Sequence, residues 1–460
     1  MDQQIFSSNE NVRTILGLSL RFRLIDASRF FLCLFLIFFP FQIRTLLYST
    51  PLFLSGNFNI YTSFFLYLAD IFLLLAFALW GLSFMQREKP IEVRFGEEKF
   101  TLLLVLLICA TLAQTIFATD KWLQLFQTFR FIELFLLYLL LVNNIIKTKT
   151  VIMIFILGMA FQALTAIFQY ILQGSVGLHF FGEPMVTAQT LGAGKIDLDS
   201  QKIVRAFGTF PHANVLGGAL FIAIMLIFAN FRRHLLIYWP FVILLGVAIL
   251  LTFSRSALFA LVIASLTYIS FDNRKISFRS ILFGLSLIVL FVVIFRLDDV
   301  IFKRLFFDNG NIMTTALQER NLYLGGSIDM LLHAPFGVGF GGFTLNMQQF
   351  LASKLMPWQY QPVHNIFLLS ANELGLIGGT LFLLLFGYLF YRLIKQCRGL
   401  LHGFQRHNFA SMLAILAGIT LIGFFDHYFF SLYPGQVLLF IYFALASSFL
   451  SSSRLPARNS

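Results

Sequence analysis

The sequence predicts an all-α, polytopic integral membrane protein of about twelve transmembrane helices, with a large extracytoplasmic loop carrying short helices. Three observations predict it. Of the 460 residues, 58% are hydrophobic and only 12% are charged, with a mean hydropathy of +0.83, a composition that excludes an ordinary soluble domain. Apolar runs of about 20 residues, the length that spans a bilayer as a helix, recur from near Phe30 to the C-terminus. Basic residues gather in short clusters, each separated from the next by two such runs, as loops on one membrane face do.

In order, the runs lie at 28–49, 60–84, 101–118, 123–144, 150–173, 212–231, 235–253, 256–271, 279–296, 364–393, 408–427 and 433–451. In lipid the backbone has to satisfy its own hydrogen bonds, so each run is read as a helix. The first follows Arg13, Arg21, Arg23 and Arg29, like the start of a signal peptide. It is long and further spans follow it, so it is read as an uncleaved anchor. The basic clusters are the N-terminal arm, "QREKPIEVRFGEEK", "KTK", "RRH", "NRKISFR", "RLIKQCRGLLHGFQR" and the tail "RLPAR". The positive-inside rule makes all of them cytoplasmic, with both termini inside. The net charge of +12 is then a matter of topology, and nucleic acid is not expected as a partner. Cys33, Cys109 and Cys397 show neither pairing nor metal-ligand spacing.

Two long polar segments remain outside, 174–211 and 297–363, where long loops on a helical scaffold usually carry binding and catalysis. Arg205, Arg255 and Arg320 lie there or at the membrane boundary, against the positive-inside bias, with His212, His364, Asp426 and His427 at the same level. A single outer arginine can simply snorkel to lipid headgroups. Three together suit an anionic, membrane-borne ligand, because guanidinium groups present paired donors to phosphate oxygens. His364 follows "QPV" at the start of a helical run, where the helix N-terminus disfavours imidazolium and leaves a ring able to accept a proton. The competing reading is a helix-end histidine bonded to a loop carbonyl. Glu373 lies about two and a half turns further on, facing away from His364, and is expected to bond to backbone or a neighbouring helix. Asp70, Arg130 and Glu133 are intramembrane charges; Arg130 and Glu133, spaced i, i+3, are read as neutralising each other, with a proton relay as the alternative. "GVGFGGF" lacks the strand–turn–helix context of a nucleotide loop, so its glycines are read as tight turns. The pair of carboxylates in "DLD" at 197–199 is a weak metal signal; no metal site and no cofactor are expected.

The stretches "RAFGTFPHANVLGGALF", "LTFSRSALFAL", "QERNLYLGGSIDMLLHAPFGVGFGGF" and "PVHNIFLLSANELGLIGG", in this order on a many-span chain, resemble the O-antigen ligase and polymerase superfamily over about residues 200–390. The resemblance implies a membrane-embedded glycosyltransferase of the bacterial inner membrane, acting on the extracytoplasmic face without a metal ion in cell-surface polysaccharide assembly. Its donor would be a polyprenyl-diphosphate-linked glycan and its acceptor a lipid or another glycan. By position, Arg205 and Arg255 would hold the diphosphate, Arg320 would be a third arginine of the donor site, and His364 would be the base. His212, in "FPHAN", contends for that role. Ligase and polymerase differ in the acceptor; a ligase is the first reading and a polymerase the second. No appended soluble acceptor-binding domain is expected, which disfavours a protein-glycosylating member. A transporter or flippase of lipid-linked sugars is the rival from another class, disfavoured because the polar groups concentrate on one face and no internal repeat is visible.

Overall fold

Eight helices among the described residues are long and apolar enough to cross a membrane: Leu68–Met85, Glu98–Ile116, Lys121–Val142, Thr148–Leu172, Ala213–Asn230, Ile366–Arg398, Arg406–Phe425 and Tyr433–Ser452. The structure is a computed structural model that describes residues 24–51, 53–85, 92–187, 190, 195–198, 201–230, 235–272, 310–399 and 404–452. Two shorter apolar helices, Leu235–Leu251 and Arg255–Phe271, and a helix at 24–38 occupy three more of the expected runs. The run at 279–296 lies outside the described residues.

Ala213–Asn230 and Tyr433–Ser452 are buried along most of their length, whereas Leu68–Met85 and Glu98–Ile116 leave two thirds of theirs uncovered by protein. The exposed side chains of those outer helices, Ile71, Leu75, Leu82, Leu102 and Leu106 among them, are apolar, as a lipid-facing surface requires. Tyr433–Ser452 packs on Lys121–Val142, and Phe404–Phe425 packs between Arg255–Phe271 and Ile366–Arg398. Hydrogen bonds tie the basic ends together: Arg406 Nε donates to the carbonyl of Phe271, His407 Nε2 meets that of Ala229, and Arg392 pairs with Glu97. The helix ends opposite these carry the long loops.

Three departures from the expected elements matter. Hydropathy predicts helix to residue 49 in the first run and from residue 60 in the second. Instead Arg44–Ser49 and Ser63–Tyr67 form an antiparallel hairpin ladder. Its residues, RTLLYS and SFFLY, are rich in Leu, Tyr and Phe, and hydropathy alone does not separate such a strand from the end of a helix. In the large loop, where the sequence predicts short helices, Gly310–His333 is a 24-residue helix, followed by the short Gly342–Asn346. The first loop carries a second small hairpin, Lys195–Leu198 with Gln201–Val204; Asp197 of the "DLD" pair lies in it and Asp199 outside the described residues.

The third departure is the break in Ile366–Arg398 at Gly375, whose φ of 72° and ψ of 176° lie outside the helical region. The carbonyls of Asn372 and Glu373 then lack their helical partners, and the glycine segment supplies them. Val338 N donates to Asn372 O and Gly339 N to Glu373 O, both at 2.9 Å, while Leu376 N donates to Pro335 O. A Cβ at Gly375 would stand 2.5 Å from the carbonyl carbon of Phe336, and one at Gly337 would collide with Gly375 N. "GVGFGGF" is thus a backbone clamp on a broken helix. Glu373 is buried beneath it and accepts from the backbone N–H groups of Gly341 and Phe343, the backbone role expected of it.

The intramembrane charges neutralise one another. Arg130 Nη1 lies 2.6 Å from Asp70 Oδ1 and 2.5 Å from Glu133 Oε2, and its Nη2 donates to the carbonyl of Phe65. One guanidinium between two carboxylates goes beyond the i, i+3 pair read from the sequence, because Asp70 comes from another helix.

Candidate active site

The loop end of the bundle gathers every candidate side chain. Arg205 follows the hairpin strand Gln201–Val204 and is buried; its Nε donates to Thr252 O at 2.7 Å and its Nη2 to Asn214 Oδ1. Asn214, in the first turn of Ala213–Asn230, donates from Nδ2 to Asp426 Oδ2 at 2.6 Å. Asp426 follows the helix Phe404–Phe425, and its Oδ1 accepts from His427 N at 2.8 Å. These bonds join the segment 205–214 to Thr252 and to Asp426, both distant from it in sequence.

The three imidazoles surround this chain of bonds. His364 and His427 meet edge to face, with centroids 5.1 Å apart and planes at 80°. Tyr323, from the helix Gly310–His333, stacks over His364 at 6.0 Å and 13°, and Tyr61 sets its ring edge-on to His427 at 5.3 Å. His212 lies within electrostatic reach of Arg205, Asp426 and His364. Arg320 interacts with Asp426 and Arg255, and His364 with Arg320 and Glu319. Arg255 opens the helix Arg255–Phe271 behind Ser254. His212, Arg255 and His364 are half-buried and Arg320 is exposed, whereas Arg205, Asp426 and His427 are buried.

The histidines differ in what their Nδ1 atoms do. That of His212 accepts from Asn214 N at 3.1 Å, and that of His427 is bonded to Ser431 Oγ at 2.6 Å. His364 Nδ1 is buried and has no hydrogen-bond partner among the described residues. His364 is also one residue outside the helix: Asn365 is the cap, its side chain accepting from Phe367 N and Leu368 N. Among the described residues, His364 Nδ1 thus makes no bond to a loop carbonyl.

Burial lowers all three imidazole pKa values. For His427, burial and then His364 push it down to about 3; for His212, burial and Arg205 push it down to about 4. Burial also holds His364 below its ordinary 6.5, reinforced by Arg320 and opposed by Asp426 and Glu319. Burial alone would raise Asp426, but the imidazoles of His427, His364 and His212 and the Asn214 amide outweigh it and hold the carboxyl below its usual range. At neutral pH the site holds three neutral imidazoles and an ionised Asp426. The three guanidinium groups outnumber the carboxylates Asp426 and Glu319, which leaves a net positive mouth suited to an anion.

Sequence reasoning misses Asn214, Tyr61 and Tyr323. Asn214 stands inside the quoted "FPHAN", and an amide at a helix start is the available signal. Tyr61 falls at the start of a run that reads as a membrane helix, where the structure has a strand and its approach. Among the described residues no group of His, Cys, Asp and Glu is arranged to hold a metal ion.

Residues 239–383 match the family model described as O-Antigen ligase, a segment that holds Arg255, Arg320 and His364 and leaves Arg205, His212, Asp426 and His427 outside. No curated protein matches the chain. With the many-span helical fold and the motif-bearing residues gathered at one end, the match over residues 239–383 supports the resemblance to the O-antigen ligase superfamily.

Proposed function

We propose that the chain transfers a glycan from a polyprenyl-diphosphate carrier to an acceptor hydroxyl on the extracytoplasmic face, as an O-antigen ligase does. The family is one of transferases in polysaccharide assembly; the donor, the face and the residue roles are the present reading. The observation that carries it is the gathering of Arg320 and His364 around Asp426, with Arg255 beside Arg320, all from separate segments.

The half-buried Arg255 and the exposed Arg320 grip the diphosphate, with Arg205 behind them holding Asn214 and adding its field. As the acceptor oxygen attacks the anomeric carbon, the bond from that carbon to the phosphate oxygen breaks and its electron pair leaves on the diphosphate. The guanidinium groups bind this developing charge more tightly than the ground state, which lowers the barrier. The acceptor proton passes to neutral His364, a contribution of about 10²–10⁴ in rate. A single displacement inverts the anomeric centre. Charge stabilisation comes from arginine, so no divalent ion is required in this scheme.

The test is release of polyprenyl diphosphate from a purified lipid-linked glycan in detergent, with candidate acceptors and with chelator present. Acceptor-dependent release supports the reading. Binding of the donor with no cleavage by any acceptor refutes it and favours transport.

A further inference from the structure

Beside the histidine cluster lies a narrow, partly open cleft. The hairpin forms one wall with Arg44, Phe65 and Tyr67. Gln127 and Arg130 form another, and Pro211 with the stretch from Ser431 to Gln436 closes it. It touches the proposed active site twice: Pro211 precedes His212, and Ser431 is the partner of His427 Nδ1.

Two side chains in this cleft are poised for a ligand. Gln42 is only 7% exposed, yet both its Oε1 and its Nε2 lack a hydrogen-bond partner among the described residues. An amide left buried and unpaired is destabilising, so the fold retains a donor and an acceptor here against its own stability. Arg44 lies over the Phe65 ring at 4.1 Å and gives one bond to Tyr67 Oη at 3.2 Å, with no carboxylate partner among the described residues. Arg130, by contrast, is neutralised by Asp70 and Glu133.

We infer that the cleft is a saccharide subsite, in which Gln42 and Arg44 bond neighbouring hydroxyls of one sugar ring and the aromatic wall meets its C–H face. An amide that donates and accepts matches a hydroxyl that does both, and a guanidinium spans adjacent oxygens. The shared wall with His212 and His427 makes the ring part of a substrate handled at the histidine cluster, and to that extent the inference rests on the proposed function. The ring belongs to either the donor glycan or the acceptor.

The test uses the full chain in nanodiscs and saturation-transfer NMR with two probes: the glycan cleaved by mild acid from the cells' own polyprenyl-diphosphate donor, and the delipidated acceptor. Wild type and His364→Ala are both expected to bind one probe, and which one identifies the source. Gln42→Leu and Arg44→Met are expected to lose that signal and to raise KM for the corresponding substrate about tenfold. Gln42→Leu should also melt no lower than wild type, since it removes an unpaired buried amide; a purely structural Gln42 would melt lower. Unchanged saturation and KM in both variants, or no signal from either probe with wild type, would overturn the subsite. Sugar binding by a wild type that never cleaves the donor would leave the subsite standing and sink the transferase reading.

Discussion

Asn214 Nδ2 donates to Asp426 Oδ2 at 2.6 Å while its Oδ1 accepts from Arg205, so one amide at a helix start holds a cation and an anion in register. Asn214→Leu would deprive Asp426 of its amide donor and Arg205 of this acceptor. The expected loss is about 2–4 kcal/mol of stability, with glycan transfer falling further than stability does. Thermal melting and transfer assays on the same preparation separate the two effects.

The break at Gly375 supports a second expectation. A side chain there would sit at φ 72° and run into the Phe336 backbone, so Gly375→Ala should destabilise the protein by about 3 kcal/mol or more. Gly387, in the same helix, provides the control, because a Cβ there would meet nothing within 4 Å: Gly387→Ala should be neutral or slightly stabilising. Equal melting of the two variants would show that the glycine clamp does not hold the helix.

Acid should weaken the fold in a defined window. His212 and His427 are held at about 4 and about 3, below the ordinary 6.5, so the unfolded chain binds protons that the folded chain refuses. Stability is therefore full above about pH 6.5 and falls as pH drops towards 4, by up to about 1.4 kcal/mol per pH unit for each histidine. Melting temperature measured from pH 7.5 to 4.5 tests this, and His427→Gln should flatten the slope.

Arg130→Met is expected to be strongly destabilising, by about 3–5 kcal/mol, because it strands Asp70 and Glu133 in the membrane-spanning region. Adding Asp70→Asn and Glu133→Gln should recover much of that loss. Recovery is read from expression and melting, and its failure would assign Arg130 a role beyond neutralisation.

The helical runs are legible because bilayer thickness imposes a length that hydropathy reports directly. The stretches at 44–49 and 63–67 are not, since Leu, Phe and Tyr serve a strand at the membrane surface as well as a helix within it. Arg205, Arg255, Arg320 and His364 can be found because each is a polar residue on the face where the charge bias argues against it. The roles of Asn214 and Asp70 cannot: each depends on a partner distant in sequence, Asp426 and Arg130, and no local spacing encodes such a meeting. "GVGFGGF" is recognisable as turn-forming, but that its N–H groups bond to Asn372 and Glu373 follows only from the break at Gly375.

The measurement closest to the central claim is single-turnover glycan transfer across pH by wild type and His364→Ala, each shown by melting to be folded. The account predicts that wild type loses activity on the acid side with an apparent pKa below 6.5, and that His364→Ala is slower by about 10²–10⁴ and lacks that limb. Transfer by His364→Ala at the wild-type rate, with the acid limb intact, would contradict it.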